Sequence, residues 1–345
     1  MNLRRINFFL ISFLIILLST FLALFIFEIF LRIENYSKPY EKIKIEIFGR
    51  NYFFQKHLSN NEIEENKKNN FYVIGDSFVE GSVCASKNEN ITGHLAKTIK
   101  DYKVYNLGVG GKDPSHYIDF INFFPINEGD IVAVVLYDND VHISNDTCSI
   151  IMRQKEIFPI YVPNYCKPKK SQILGSKNEN FEHQVFIPKD QSGKNFLLKK
   201  INYYFKNLFL FRLFKESLYN FPFLSKYFYR EEFKQNIGNF DSEENKWLIS
   251  SIIVMKKQVE EFGAKFYLYY YPNTNKIEKE DPRHDSWRLF ARKLFIDFGI
   301  KLNDPYPFFI QKSKKTSMVW SLTDKHPNCE AHKIMASYIE KITRE

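Results

Sequence analysis

The chain has 345 residues and a 44% hydrophobic share, enough apolar side chains to build a large core, which excludes wholesale disorder. Its 13 glycines and 13 prolines stand against 35 phenylalanines and 21 tyrosines, below the roughly 12% average usage of Gly and Pro together, which excludes collagenous and linker-dominated chains. The charge of +9, from 49 Lys and Arg against 40 Asp and Glu, suits an anionic membrane surface as easily as nucleic acid and selects neither.

From Phe8 to Phe27 the only polar residues are Ser12, Ser19 and Thr20, and 20 residues at helical rise span about 30 Å, the hydrocarbon thickness of a bilayer. The run is long for a signal peptide, and Glu28-Ile29-Phe30-Leu31-Arg32 offers no small-residue cleavage site, so an uncleaved anchor within residues 1–35 is expected. Arg4 and Arg5 before the run are offset by Arg32, Lys38, Lys42 and Lys44 after it, which leaves the orientation open. Residues 36–70, rich in Lys, Glu and Asn, read as a stalk leading into a body tethered to one membrane face.

Phe71-Tyr72-Val73-Ile74 is a β-prone run ending in Gly75-Asp76-Ser77, and residues 91–99 place apolar side chains at helical spacing. Val104-Tyr105-Asn106-Leu107 reads as a strand leading into Gly108, Gly110 and Gly111. Ile131-Val132-Ala133-Val134-Val135-Leu136 is a continuous apolar run of the kind buried on both faces of a parallel sheet. Residues 247–262 predict an amphipathic helix, 264–271 a buried strand stopped by Pro272, and 287–298 a further helix. The alternation implies a doubly wound α/β layer, divided into residues 71–146 and 241–345. Between them, residues 147–240, with Lys-Pro-Lys-Lys at 167–170 and an aromatic-basic run over 196–229, read as an insertion. A helix within 196–206 would either cover the core or lie at a membrane interface.

A serine directly after a buried strand and before a helix sits where a nucleophile is delivered to the carboxyl edge of a sheet, and Ser77 occupies that place. Near the other end of the chain, His326 follows Asp324 by two positions, so that the carboxylate can receive one ring N–H while the other nitrogen takes a proton from a serine. An oxyanion needs donors, and Gly108, Gly110 and Gly111 let backbone amides approach closely while Asn139 offers a side-chain amide. Taken singly, each has a plain structural alternative as a turn or a helix cap.

Four ordered blocks resemble the SGNH hydrolases, also called the GDSL esterase and lipase family. They are Gly75-Asp76-Ser77-Phe78-Val79-Glu80-Gly81, Asn106-Leu107-Gly108-Val109-Gly110-Gly111, Asp138-Asn139-Asp140, and residues 324–332. The resemblance covers about 71–145 and 241–340. It implies an α/β three-layer sandwich with a mainly parallel, flavodoxin-like sheet, with Ser77 as nucleophile, His326 as general base and Asp324 as its orienting acid. It also implies an oxyanion hole from the amides of Ser77 and Gly111 with the side chain of Asn139. Asp76 is expected to anchor the nucleophile loop. Two departures stand out. One residue separates Asp324 from His326 where the family has two, which puts Thr323 at the usual acid position. Asp138 replaces a common glycine and is placed to narrow the pocket or repel an anionic substrate.

The implied activity is ester hydrolysis by an extracytoplasmic domain, with O-acyl groups on an envelope glycan or a lipid ester as the expected substrate. Transfer of the acyl group to a glycan and a non-catalytic envelope-binding role are the competing expectations. The eight histidines and four cysteines form no H-x-x-x-H or C-x-x-C pair, so no metal is expected. Gly108-Val109-Gly110-Gly111 has the wrong spacing for a dinucleotide site, so no cofactor is expected, and no nucleic-acid partner is implied. Cys148 and Cys166 are spaced to bridge across a loop if the domain is exported.

Overall fold

Strand β3 (Asn69–Gly75) is the element from which the architecture is built, because its residues are apolar on both sides: Phe71 and Val73 face one core, Tyr72 and Ile74 the other, all within 1% of complete burial. The structure is a computed structural model. It describes residues 40–57, 69–81, 84, 87–167, 242–274, 277, 283–313, 318–319 and 326–345, together with parts of 13–26. The chain divides into two compact units, Met1–Lys38 with Phe181–Tyr229, and Pro39–Asn180 with Arg230–Glu345. All strands belong to the second.

Its remaining elements are β1 (Tyr40–Ile47), β2 (Arg50–His57), α1 (Ser77–Glu80), α2 (Ile91–Thr98), β4 (Tyr102–Gly108), α3 (Pro114–Phe123), β5 (Ile131–Leu136), α4 (Asn145–Gln154), α5 (Glu243–Glu261), β6 (Lys265–Tyr270), α6 (Arg283–Asp297), β7 (Leu302–Asn303), α7 (Tyr306–Ser313) and α8 (Cys329–Arg344). They give a mixed α/β fold around one seven-stranded sheet of order β1-β2-β4-β3-β5-β6-β7. The five strands from β4 to β7 run parallel, while β1 and β2 are antiparallel. One face is covered by α3, α4, α5 and α6 through residues such as Phe120, Ile151, Trp247, Met255 and Phe295. The other is covered by α1, α2, α7 and α8 through Val79, Leu95, Phe309 and Met335. After β3 the chain pairs β4 on one side of it and then crosses to pair β5 on the other. That reversal opens a crevice at the carboxyl ends of β3 and β5, the usual place for a site in such sheets.

The stalk expected over 36–70 is corrected for residues 40–57. They form a hairpin whose β2 pairs with β4 over Gln55–His57, so the sheet continues into what composition alone suggested was a linker. Ile43, Ile45 and Ile47 alternate with Lys42, Lys44 and Glu46, a half-buried strand pattern diluted by charge. Phe48 (φ 49°) and Gly49 (φ 73°) make the two-residue turn with two positive φ angles that matches strand twist. The Arg153 guanidinium lies 3.5 Å from the centre of the Phe48 ring. The insertion begins later than residue 147: α4 and the turn over Asn164–Cys166 belong to the body, with the Tyr161 N–H donating to Ser250 Oγ at 2.9 Å. Residues 168–241, which hold the rest of the insertion and its aromatic-basic run, lie outside the described residues, as do 58–68.

Within the apolar run 8–27, the described positions are helical and exposed, and Ser19 and Thr20 donate back to the Ile16 carbonyl at 2.9 and 2.8 Å. The rest of the run lies outside the described residues, and no helix among the described residues is long and apolar enough to cross a membrane.

All four cysteines are paired. Cys148 bridges Cys166, with Cα atoms 5.1 Å apart. Cys84 bridges Cys329, with Cα atoms 5.5 Å apart and a sequence separation of 245. The second pair is invisible to a reading by spacing because it joins opposite ends of the domain.

Candidate active site

Ser77 is delivered by packing that only glycine permits. A Cβ at Gly75 would lie 2.4 Å from a Val79 methyl and 2.9 Å from the Val135 carbonyl, and one at Gly108 would lie 2.2 Å from the Glu80 nitrogen. Helix α1 therefore rests directly on the ends of β3 and β4. Asp76 caps it, its Oδ1 accepting the Phe78 N–H at 2.9 Å, while Gly81 closes it in the left-handed region at φ 63°.

Asn106 ties the same corner together. Its side-chain amide donates to the Val79 carbonyl at 2.8 Å and to Thr92 Oγ1 at 3.0 Å, and its Oδ1 accepts the Gly108 N–H at 2.8 Å.

The imidazole of His326, immediately before α8, comes to this serine across 249 residues of sequence: Nε2 lies 2.9 Å from Ser77 Oγ. The ring sits 5.2 Å from that of Phe78, which itself stacks on Tyr137 at 3.7 Å. His326 and Ser77 are both partly exposed. An unprotonated Nε2 at this distance accepts the hydroxyl proton, the step that activates a serine. Asp324 and Thr323, the two positions considered for the orienting acid, lie outside the described residues.

Asn139 follows β5 and is exposed, and its Nδ2 donates to Asp76 Oδ2 at 3.2 Å, the oxygen that Ser77 Oγ approaches at 3.5 Å. Ser77 Oγ and the Asn139 side-chain amide thus converge on one carboxylate oxygen. Burial drives the Asp76 carboxyl above the usual range, opposed by the Phe78 N–H, the Asn139 amide, His326 and Ser77. Asp140, buried behind it, is pushed well up by burial and by the charge of Asp76, although it accepts the Tyr137 N–H at 2.7 Å and the Tyr117 hydroxyl at 2.8 Å.

Gly111 sits in the turn Val109–Lys112, closed by the Lys112 N–H to the Val109 carbonyl at 3.2 Å; its φ is 69° and nothing lies within 4 Å of a Cβ placed there. The neighbouring Gly110 N–H donates to Glu80 Oε2 at 2.9 Å. Glu80 was not singled out by the sequence, where a glutamate in a helix reads as a solvated side chain.

Asp138 is corrected as a wall facing an anionic substrate. It is 5% exposed, and its Oδ1 accepts the Tyr270 hydroxyl at 2.7 Å while Asn273 Nδ2 reaches Oδ2 at 3.4 Å. His332 is fully buried in the first turn of α8. A second histidine cluster, His116 Nδ1 with Asp113 at 3.0 Å, also holds Ser115 and Thr147 on the same carboxylate. Its serine hydroxyl donates to the aspartate, so it is a buried tie between α3 and α4. Among the described residues, no three His, Cys, Asp or Glu side chains are grouped to hold a metal.

No family model matches the sequence, and no curated protein does. Among solved structures, the chain is similar to a member of the lipolytic G-D-S-L family from Veillonella parvula, at 11% identity and TM-score 0.39 over 81% of this chain and all of that one. It is also similar to a structure ascribed to a lipolytic protein of the same family from Desulfitobacterium hafniense, at 12% identity and TM-score 0.37 over 79% of this chain and 98% of that one.

Proposed function

We propose that the chain is a serine hydrolase acting on ester bonds through an acyl-enzyme on Ser77. The observation that carries this reading is the 2.9 Å approach of His326 Nε2 to Ser77 Oγ at the crevice where strand order reverses. Ser77 Oγ attacks the ester carbonyl. His326 takes the hydroxyl proton at Nε2 and returns it to the departing alcohol, and water then resolves the acyl-enzyme by the same exchange in reverse. The oxyanion is held by the backbone amides of Ser77 and Gly111 and by the Asn139 side chain, whose amide carries a second N–H besides the one spent on Asp76.

The substrate class we propose is an acyl ester on an envelope glycan, met by a domain anchored through residues 8–27 and facing an oxidising compartment. The pairing of all four cysteines supports that compartment.

The test is labelling of the full-length chain, kept in detergent for its apolar N-terminal run, with a fluorophosphonate probe that needs an activated serine. Labelling that maps to Ser77 and is lost in Ser77→Ala and His326→Ala supports the reading. A folded chain that does not label refutes it and favours a binding role.

A further inference from the structure

We infer that Glu80 is a positioning residue: its carboxylate fastens the turn Val109–Lys112, which carries the Gly111 amide proposed for the oxyanion, to the helix that carries Ser77. This rests on the serine-hydrolase reading above and deepens it.

A turn closed between Val109 and Lys112 has one central peptide, formed by the carbonyl of Gly110 and the N–H of Gly111. That peptide can turn over with little change at either end of the turn, and the two orientations differ in the sign of φ at the third residue. Here φ of Gly111 is 69°, which selects one of them. With no side chain at positions 110 and 111, and open space beyond Gly111, sterics do not hold the turn in place. Hydrogen bonds to neighbouring elements do.

The turn is fastened at two points. The Val109 N–H donates to the Gly75 carbonyl at 3.0 Å, fixing where the turn leaves β4. The Gly110 N–H donates to Glu80 Oε2 at 2.9 Å, fixing the peptide immediately before the central one. A charge-assisted bond of this kind is stronger than one between neutral groups. The backbone that carries the acceptor is held in place: the Glu80 N–H bonds the Asp76 carbonyl at 3.0 Å, its own carbonyl accepts Asn90 Nδ2 at 3.4 Å, and Gly108 packs directly against its nitrogen. Because Glu80 closes the short helix that Ser77 opens, the carboxylate ties the amide-bearing turn to the element that carries the nucleophile. A Cβ at Gly110 would lie 3.6 Å from that of Ser77, so the turn and the serine are neighbours. A glutamate three residues after the nucleophile therefore sets the geometry of an amide it does not itself contribute.

The experiment compares Glu80→Ala, Glu80→Gln and Glu80→Asp in the full-length chain. It measures the rate of fluorophosphonate labelling at Ser77, kcat and KM on a soluble p-nitrophenyl ester, and the melting temperature. Losing an oxyanion donor outright costs roughly 100- to 1,000-fold, and loosening the turn that carries it costs part of that. Glu80→Ala should therefore lower labelling and kcat by about 10- to 100-fold with KM and melting temperature unchanged. Glu80→Gln, whose amide oxygen still accepts the Gly110 N–H, should stay within about threefold of the native rate. Glu80→Asp, one methylene short, should behave like Glu80→Ala. Gly111→Ala, which disfavours positive φ and so acts on the same turn, should add little to Glu80→Ala in a double-mutant cycle.

Native-like labelling in Glu80→Ala, equal loss in Glu80→Gln, or additive effects with Gly111→Ala would each overturn the inference. A Glu80→Ala chain that fails to fold would do the same, since the residue would then hold the fold instead of one turn. A native chain that does not label at Ser77 removes the parent reading, an outcome visible before any Glu80 variant is made.

Discussion

Replacing Cys84 and Cys329 by serine together removes the bridge between the loop after α1 and the start of α8. In the loop-closure picture the cross-link stabilises by restricting the unfolded chain, with an entropy that grows as the logarithm of the residues enclosed. For the 245 residues separating this pair, that gives about 5.5 kcal/mol at 25 °C. For the 18 residues separating Cys148 and Cys166 it gives about 3 kcal/mol. At about 2 °C per kcal/mol for a domain of this size, the corresponding drops in melting temperature are about 11 °C and about 6 °C. The assay is thermal unfolding of three chains, native and the two double-serine variants, with oxidation of the remaining pair checked by thiol counting. A Cys84→Ser/Cys329→Ser chain that melts within about 2 °C of native, or above the Cys148→Ser/Cys166→Ser chain, refutes the reasoning. The two variants should also differ in chemistry. His326 lies three residues before Cys329, so the long-range variant should label more slowly at Ser77, while the Cys148→Ser/Cys166→Ser chain should label at the native rate at temperatures where it is folded.

Gly108→Ala places a methyl 2.2 Å from the Glu80 nitrogen; because the obstacle is backbone, it should cost about 3 kcal/mol by unfolding and lift α1, with a loss of Ser77 labelling. Asn106→Ala leaves the Val79 carbonyl, the Thr92 hydroxyl and the Gly108 N–H without their shared partner, and should cost about 3 kcal/mol in denaturant titration. His94 is held down to about 4 by burial and by Lys97 and Lys333. The unfolded chain takes up this proton near pH 6.5 and the folded one only near 4, so stability should fall as pH drops between those values. His94→Gln should flatten that part of the stability profile, and an unchanged slope would show that other groups set it.

The parallel part of the sheet was legible because β3 and β5 are buried on both faces, so their apolar runs are unbroken, and because α2 and α5 keep the helical period. Strand ends came out within two residues at β5 and β6, where glycine, proline or aspartate stops them. The hairpin β1–β2 was not legible as sheet, since an edge strand with lysines on its outer face has the composition of a linker, and its partner β4 lies some fifty residues further on. In the site, Ser77, His326, Asn139 and Gly111 announce themselves by residue type and by position after strands. Glu80, Asn106 and Asp140 do not, because their roles are fixed by which backbone groups fall within 3 Å of them, and nothing in a local pattern encodes that. The Cys84–Cys329 pair has the same character, with each cysteine sitting alone in its own stretch of sequence.

The distance in sequence between Ser77 and His326 has a consequence for the life of the chain before it is finished. A nascent or truncated chain ending anywhere before residue 326 carries the serine, the glycine turn and the asparagine amide, yet holds no base, and the strand that closes the sheet, β7, arrives only at Leu302–Asn303. On the serine-hydrolase reading proposed above, reactivity toward esters is therefore withheld until His326 has been made and α8 has docked. On that reading a fragment released before residue 326 by a stalled ribosome or a protease would be inert toward esters, and the bond from Cys329 back to Cys84 records covalently that α8 has reached its place.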